Sequence, residues 1–199
     1  MSRRDEVLTA AIELLDEVGL DDLTTRRLAE RLGIRAGALY RHFENKRALL
    51  DAMADRIAAE GGGHPQPEGD WADQVRVMAI GARSSMLAHR DGALLMATFY
   101  LPGAAAVAAW KGFIVVFREA GASARLAALS VDTIVCYVNG FTIEEQARKT
   151  TPPTAVSRRI RDRDFRAGLE VVIAGIDATL RRPELKAKRS ARSRDKPYS

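Results

Sequence analysis

The segment at residues 23–50, LTTRRLAERLGIRAGALYRHFENKRALL, constrains this chain more than any other. It reads as two short helices joined by a tight turn, with a third following at once. Thr24 or Thr25 can cap the first helix, because a side-chain oxygen accepts from an orphan amide of the first turn. Leu28 and Leu32 stand four apart on one face, and small Ala29 beside them lets a second helix come close. Gly33 supplies a left-handed stop, having no Cβ to clash there. Ile34 and Leu39 give the second helix its buried side. This is the pattern of a helix-turn-helix, whose second helix lies in the major groove of double-stranded DNA. The charge agrees: seven Lys/Arg lie from Arg26 to Arg47, against Glu30 and Glu44. Tyr40 and His42 sit among them, and such groups reach bases or phosphates. A helical hairpin with a solvated basic face would show the same spacing.

The whole chain is a weaker guide. Its 199 residues suit one domain or two small ones, and 47% are hydrophobic, enough for a substantial core. The net charge of +5 is unevenly spread: residues 1–60 carry 10 basic and 12 acidic groups, while 183–199 carry 6 and 2. Only the local cluster at 26–47 therefore speaks for nucleic acid. Cys136 is the single cysteine, which allows no internal disulfide and agrees with a reducing cytoplasm. MSRRDEV lacks an apolar signal core, and no run of about 18 apolar residues is evident. The longest weakly polar stretches, 104–110 and 112–117, are too short to span a membrane. The expectation is a soluble cytoplasmic protein with no membrane partner.

The periodicity predicts an all-α fold. An amphipathic helix over 4–17 ends at Gly19, and after the two motif helices a fourth runs over 45–60. GGGHPQPEG (61–69) reads as a linker. A head of some 60 residues cannot easily stand alone, so it should dock on the rest. Beyond it, Asp70 caps a helix to 89, a short helix starts near Asp91, and others span 104–120 and 123–148. TTPPT (150–154) is a break, and the last helix runs over 163–182 with the stripe Leu169, Val172, Ile176 and Leu180. The organisation is a helix-turn-helix domain at 1–60, the linker, a helical effector-binding and dimerisation domain at 70–182, and a basic, disordered tail at 183–199.

The head, LLDEVGLDDLTTRRLAERLGIRAGALYRHFENKRALLDAMA, resembles the tetracycline-repressor (TetR) family of one-component transcription regulators. HRDGA at 89–93 and IEEQ at 143–146 look like landmarks of that family's tetracycline-responsive branch. The resemblance implies an all-α homodimer joined through the helices at 123–148 and 163–182. It implies heads on a palindromic operator and a small-molecule effector in the C-terminal domain. Carried over by position, the DNA-contacting pattern falls on Thr25, Arg26, Ala36, Gly37, Ala38, Tyr40, His42 and Lys46. Arg26 suits a guanine edge; Tyr40, His42 and Lys46 suit phosphate and sugar. Ala36, Gly37 and Ala38 offer no side-chain hydrogen bonds, so Arg35 and Arg41 are expected to take over part of the readout.

The ligand end departs further. Where the tetracycline branch places a histidine for its magnesium–drug chelate, this chain has Met96, a poor ligand for a hard cation. Nearby polar positions become Met78, Phe99 and Tyr100. Neither a bound metal nor a cofactor is therefore expected. The candidate lining is Met78, Met96, Phe99, Tyr100, Trp110, Phe113, Phe117, Tyr137 and Phe141, with Glu144 as a polar anchor. His89 and Asp91 read as a helix end and the cap of the next helix rather than as catalytic groups. No base–nucleophile pair is evident, so the chain is not expected to be an enzyme. The expected function is a repressor released from its operator by a small apolar or aromatic molecule. A DNA-binding activator stays open, as does an all-α ligand carrier or enzyme without DNA binding.

Overall fold

The computed structural model describes residues 2–61, 69–98, 102–148 and 155–182. Among these residues every regular element is an α-helix: α1 (Arg3–Val18), α2 (Thr25–Arg31), α3 (Ala36–Leu39), α4 (Lys46–Glu60), α5 (Trp71–Leu87), α6 (Gly92–Thr98), α7 (Ala104–Glu119), α8 (Ala124–Ala147) and α9 (Ala155–Leu180). The linker residues 62–68, the break at 150–154, the tail at 183–199, and Phe99 and Tyr100 lie outside the described residues.

Local chemistry sets the boundaries. Ser2 and Asp5 form a reciprocal capping box at the start of α1. Thr24 rather than Thr25 caps α2, its hydroxyl accepting from the Arg27 amide at 3.2 Å. Asn45 caps α4 through the Ala48 amide at 2.8 Å. Asp70 caps α5, one carboxylate oxygen accepting from the Ala72 and Asp73 amides at 2.9 Å each. The stop at Gly33 has φ +64°, as the turn between α2 and α3 requires. Helix α3 is a single turn, but the chain keeps turning, with the His42 and Phe43 amides both donating to the Leu39 carbonyl.

Two apolar clusters hold the molecule together. The head cluster gathers Val7, Ala11 and Leu15 of α1, Leu28, Leu39, Phe43, and Leu49, Met53 and Ile57 of α4. The second is built from α5, α7, α8 and α9 around Met78, Phe117, Ile134, Phe165 and Leu169. Leu95 of α6 is fully buried in the head cluster, and its neighbour Met96 packs against both. Helix α4 packs against α1 on the head side and against α5, α6 and α7 on the other. The end of α4 approaches α5 closely at Gly61 and Gly81, where a methyl group on residue 81 would overlap the Gly61 carbonyl oxygen. Gly81→Ala should therefore push α4 off α5 and cost about 1–3 kcal/mol, read as a lower urea midpoint at unchanged slope.

Three sequence expectations are corrected. Helix α9 begins at Ala155, eight residues before the expected start. Its first turns carry exposed Val156 and Ile160, so no apolar stripe marks them; charge pairs such as Asp162–Arg166 hold them instead. The last helix, expected to meet a second copy, turns its apolar stripe inward: Leu169 and Ile176 are buried in the second cluster, with Val172 and Leu180 packed on it. Finally, α8 is long and apolar enough, by length and composition alone, to cross a membrane. One of its faces lies in the core through Ala127, Val131, Ile134 and Val138, as expected of a central helix.

Candidate nucleic-acid interface and effector cavity

The proposed DNA-facing residues are drawn from α2, from α3 and its flanks, and from the first turn of α4. Arg26, Arg35, Ala36, Gly37, Tyr40, Arg41 and Lys46 are exposed, and Thr25, Ala38 and His42 are half-buried. Tyr40 is 51% exposed, a large aromatic left in water beside arginines. Behind this face, Leu28, Leu39 and Phe43 are buried and fix its shape. Arg31 ties α2 to α1 through Glu17 at 2.7 Å and Glu13 at 3.1 Å. Arg26 reaches Glu30 at 2.9 Å, an exposed pair that water and phosphate can displace at little cost. On the DNA reading, Arg26→Ala should weaken operator binding by about 1–3 kcal/mol and relax preference at one base position. Lys46→Ala should weaken all sequences alike and lower the salt slope by about one. Salt-dependent fluorescence anisotropy on matched duplexes separates the two.

A cavity of about 430 Å³ opens between α4, α5, α6, α7 and α8. Met78, Met86, Met96, Trp110, Phe113, Ile134 and Val138 line it, with Ala58 and Gly61 from the last turn of α4. Ser85 and Asn139 are its polar side chains besides the indole, and none of the described lining residues is charged. Ser85 already donates to the Ala82 carbonyl at 3.0 Å.

Of the candidate ligand residues, Met78, Met96, Trp110 and Phe113 line this space. Phe117 instead packs against Trp71 in the second cluster. Tyr137 and Phe141 turn toward α9, packing on Phe165, and the Tyr137 hydroxyl donates to the Phe165 carbonyl at 2.7 Å. Burial pushes that phenol's pKa up. Glu144 does not face the cavity: its side chain is 69% exposed and pairs with Arg148 on the same helix at 3.3 Å. The inward carboxylate is Glu145, bound by buried Arg83 at 2.9 Å, with Asp162 on the other side of the guanidinium at 3.0 Å.

The seam between head and effector domain escaped sequence reading. Gln146 binds the 86–93 segment, accepting from the Ala93 amide at 3.0 Å and donating to the Met86 and His89 carbonyls at 3.1 and 2.8 Å. The two landmarks HRDGA and IEEQ thus meet in space. The Asp91 carboxylate reaches the head, accepting from the Leu20 amide at 3.0 Å. A Cβ on Gly19 would lie 2.7 Å from that carboxylate, so only glycine lets the end of α1 approach so closely. On the α7 side, the Asp55 carboxylate of α4 accepts from the Ala105 and Ala106 amides at 2.8 and 3.0 Å, capping the helix that carries Trp110 and Phe113.

Comparison with known proteins follows this architecture. Residues 7–53 match the family model of bacterial regulatory proteins, tetR family, and residues 64–159 match the tetracyclin repressor-like C-terminal domain. Tetracycline repressor protein class A from transposon 1721 (Escherichia coli) is 45% identical over 143 residues, 71% of this chain and 66% of that protein. The class C repressor of Escherichia coli is 34% identical over 88% of this chain and 90% of its own length. Among solved structures, a single-residue variant of TetR from Acinetobacter baumannii AYE in complex with minocycline superposes with a TM-score of 0.80 at 34% identity, covering 92% of this chain and 100% of that one. With both halves matched and near-complete relatives above 30% identity, the chain belongs to the tetR family of bacterial regulatory proteins: it is a DNA-binding transcriptional regulator with a tetracycline-repressor-like C-terminal domain.

Proposed function

We propose that this regulator is a cytoplasmic, dimeric repressor, released from a palindromic operator by a neutral, largely apolar or aromatic molecule. One observation carries the effector class. The cavity is walled by methionines, aromatics and aliphatic groups, and no charged side chain among the described residues lines it. An ionic ligand would lose its hydration there without a counter-charge. A neutral one gains roughly 25 cal/mol per Å² of apolar surface covered, with Asn139 or the Trp110 indole to orient it. The lining does not fit a magnesium–tetracycline chelate, because Met96 and its neighbours provide no set of hard oxygen donors.

The same cavity suggests how release works. Ala58 and Gly61 touch its space from the helix whose opposite face, Leu49, Met53 and Ile57, is buried in the head. A ligand that wedges α7 away from α4 would re-aim the head. Two heads must keep half-sites about 34–36 Å apart, so a small rotation at each is enough to lose register. Exposed Leu129 on α8 and Val156, Ile160 and Val171 on α9 are the apolar surface that a second copy would cover.

The test is calorimetry with a panel of neutral, cationic and anionic aromatic compounds, beside tetracycline with and without Mg²⁺. Neutral compounds should bind best and independently of metal. Ala109→Phe, which fills the cavity, should weaken them about ten- to hundredfold while leaving binding to the chain's own upstream DNA intact. Tight, Mg²⁺-dependent tetracycline binding would overturn the effector class. Failure of the intact protein to shift any upstream duplex would overturn the repressor reading.

A further inference from the structure

We propose that His89 is a proton-operated joint between the DNA-binding head and the effector domain, holding both head helices it touches only as the imidazolium. The side chain leaves the end of α5 and enters the seam, where it is 13% exposed. Its Nδ1 lies 3.0 Å from an Asp16 carboxylate oxygen on α1, and its Nε2 lies 2.9 Å from Glu60 on the last turn of α4. Carboxylates only accept. A neutral imidazole has one N–H, so it can serve one of them and must turn a lone pair on the other. The two short contacts together are the geometry of the protonated ring.

The surrounding groups point the same way. From α1, Asp16 also accepts from the Arg90 amide at 2.9 Å, while the Glu17 carboxylate is engaged by Arg31. From α4, Glu60 faces the ring at a helix C-terminus, where the backbone dipole already disfavours a negative charge. From the ring's own loop, the Arg90 guanidinium is turned away to donate to the Glu17 carbonyl, and Asp91 binds the Leu20 amide. The ring also sits past the last turn of α5, whose carbonyls favour a cation. Burial pulls the His89 pKa down, but the bonds to Glu60 and Asp16 outweigh it, and the net shift is upward.

The direction of the switch follows. A raised folded pKa means that the clamp is complete below the ordinary histidine value and is lost as pH rises through the folded one. On deprotonation, Asp16 keeps the Arg90 amide, whereas Glu60 loses the partner that holds it. The last turn of α4 is then freed beside Gly61, at the cavity wall. A head whose angle is less fixed is a poorer binder of two spaced half-sites, so DNA affinity falls with rising pH. The consequence for DNA rests on the repressor reading; the protonation of the ring does not.

The test uses the intact protein. Imidazole resonances are titrated by NMR from pH 5.5 to 9, with His89 assigned from His89→Gln. Its midpoint should lie above that of an unstructured histidine, and Asp16→Asn and Glu60→Gln should each lower it. A midpoint at or below the ordinary value would overturn the proposal. Anisotropy on the upstream duplex at fixed ionic strength should then show affinity falling on the order of fivefold across the same range, the lower end of measured couplings between sites. Glu60→Gln, which keeps the size of the side chain, should flatten that fall, as should His89→Gln. An identical pH profile in wild type and Glu60→Gln would overturn the switch. An absence of DNA binding at every pH would count against the repressor reading, while the NMR midpoint would still decide the clamp.

Discussion

Replacing Arg83 with alanine is expected to lower stability by about 3–5 kcal/mol, because it strips the counter-charge from a carboxylate held inside the effector domain. Arg83 is 5% exposed and bridges three helices. Its Nε and Nη2 donate to Glu145 of α8 at 3.1 and 2.9 Å, its Nη1 donates to Asp162 of α9 at 3.0 Å, and the guanidinium lies 4.7 Å above the Phe165 ring. Alanine removes the bonds, the stacking and the volume at once. Arg83→Met combined with Glu145→Gln removes the two buried charges while keeping most of the volume and leaving Asp162 to Arg166, and should recover much of the loss. Urea denaturation of the three proteins measures this. A single mutant within about 1 kcal/mol of wild type would mean that the triad contributes little to joining α5 to α8 and α9. The triad also has an acid limb. Arg166, and then Arg83, hold the Asp162 carboxyl below its ordinary value of 3.8. That contribution is present above 3.8 and fades as pH falls through the lowered folded value, and the fade should be shallower in Arg83→Ala.

Leu95→Ala should cost about 2–5 kcal/mol, and its effect should be felt first in the head. Leu95 is fully excluded from water and is buried in the head cluster with residues of α1 and α4, although α6 as a helix also packs on α5 and α8. The cavity left behind would loosen α6 from α4. Hydrogen exchange should report it as lost protection in α1 and α4 before α8 and α9 respond. Equal loss across both halves would mean that the two clusters unfold as one unit.

Much of this was legible from the chain. Helix order, the Asp70 cap, the stops at Gly19 and Gly33, and the helix-turn-helix follow from local rules that tertiary packing reinforces. What could not be read was helical phase on α8, which is apolar on more than one side. Tyr137 and Phe141 fall on one stripe and pack on α9; Val135 and Asn139 fall on another and line the cavity. Two residues along a helix are about 200° around it, so choosing the aromatics of α8 as lining chose the face turned away from the cavity. Glu144 and Glu145 differ by one position, about 100°, and that step separates a solvated side chain from a buried ion pair. The seam was illegible for another reason. Asp16, Glu60 and His89 are far apart in sequence, and nothing local announces that two acids of the head will close on one ring.

The placement of Leu95 has a consequence for how such regulators can recombine. By chain order α6 belongs to the effector half, yet its Leu95 is buried in the head cluster while Ala93 is buried in the second, so the glycine-rich stretch after α4 does not mark off a self-contained exchangeable unit. A hybrid joined at residue 61 would pair one parent's socket with the other parent's plug. A hybrid joined after α6, near Gly103, would move socket and plug together but divide the second cluster, so α5 and α6 would have to be matched anew to α7, α8 and α9.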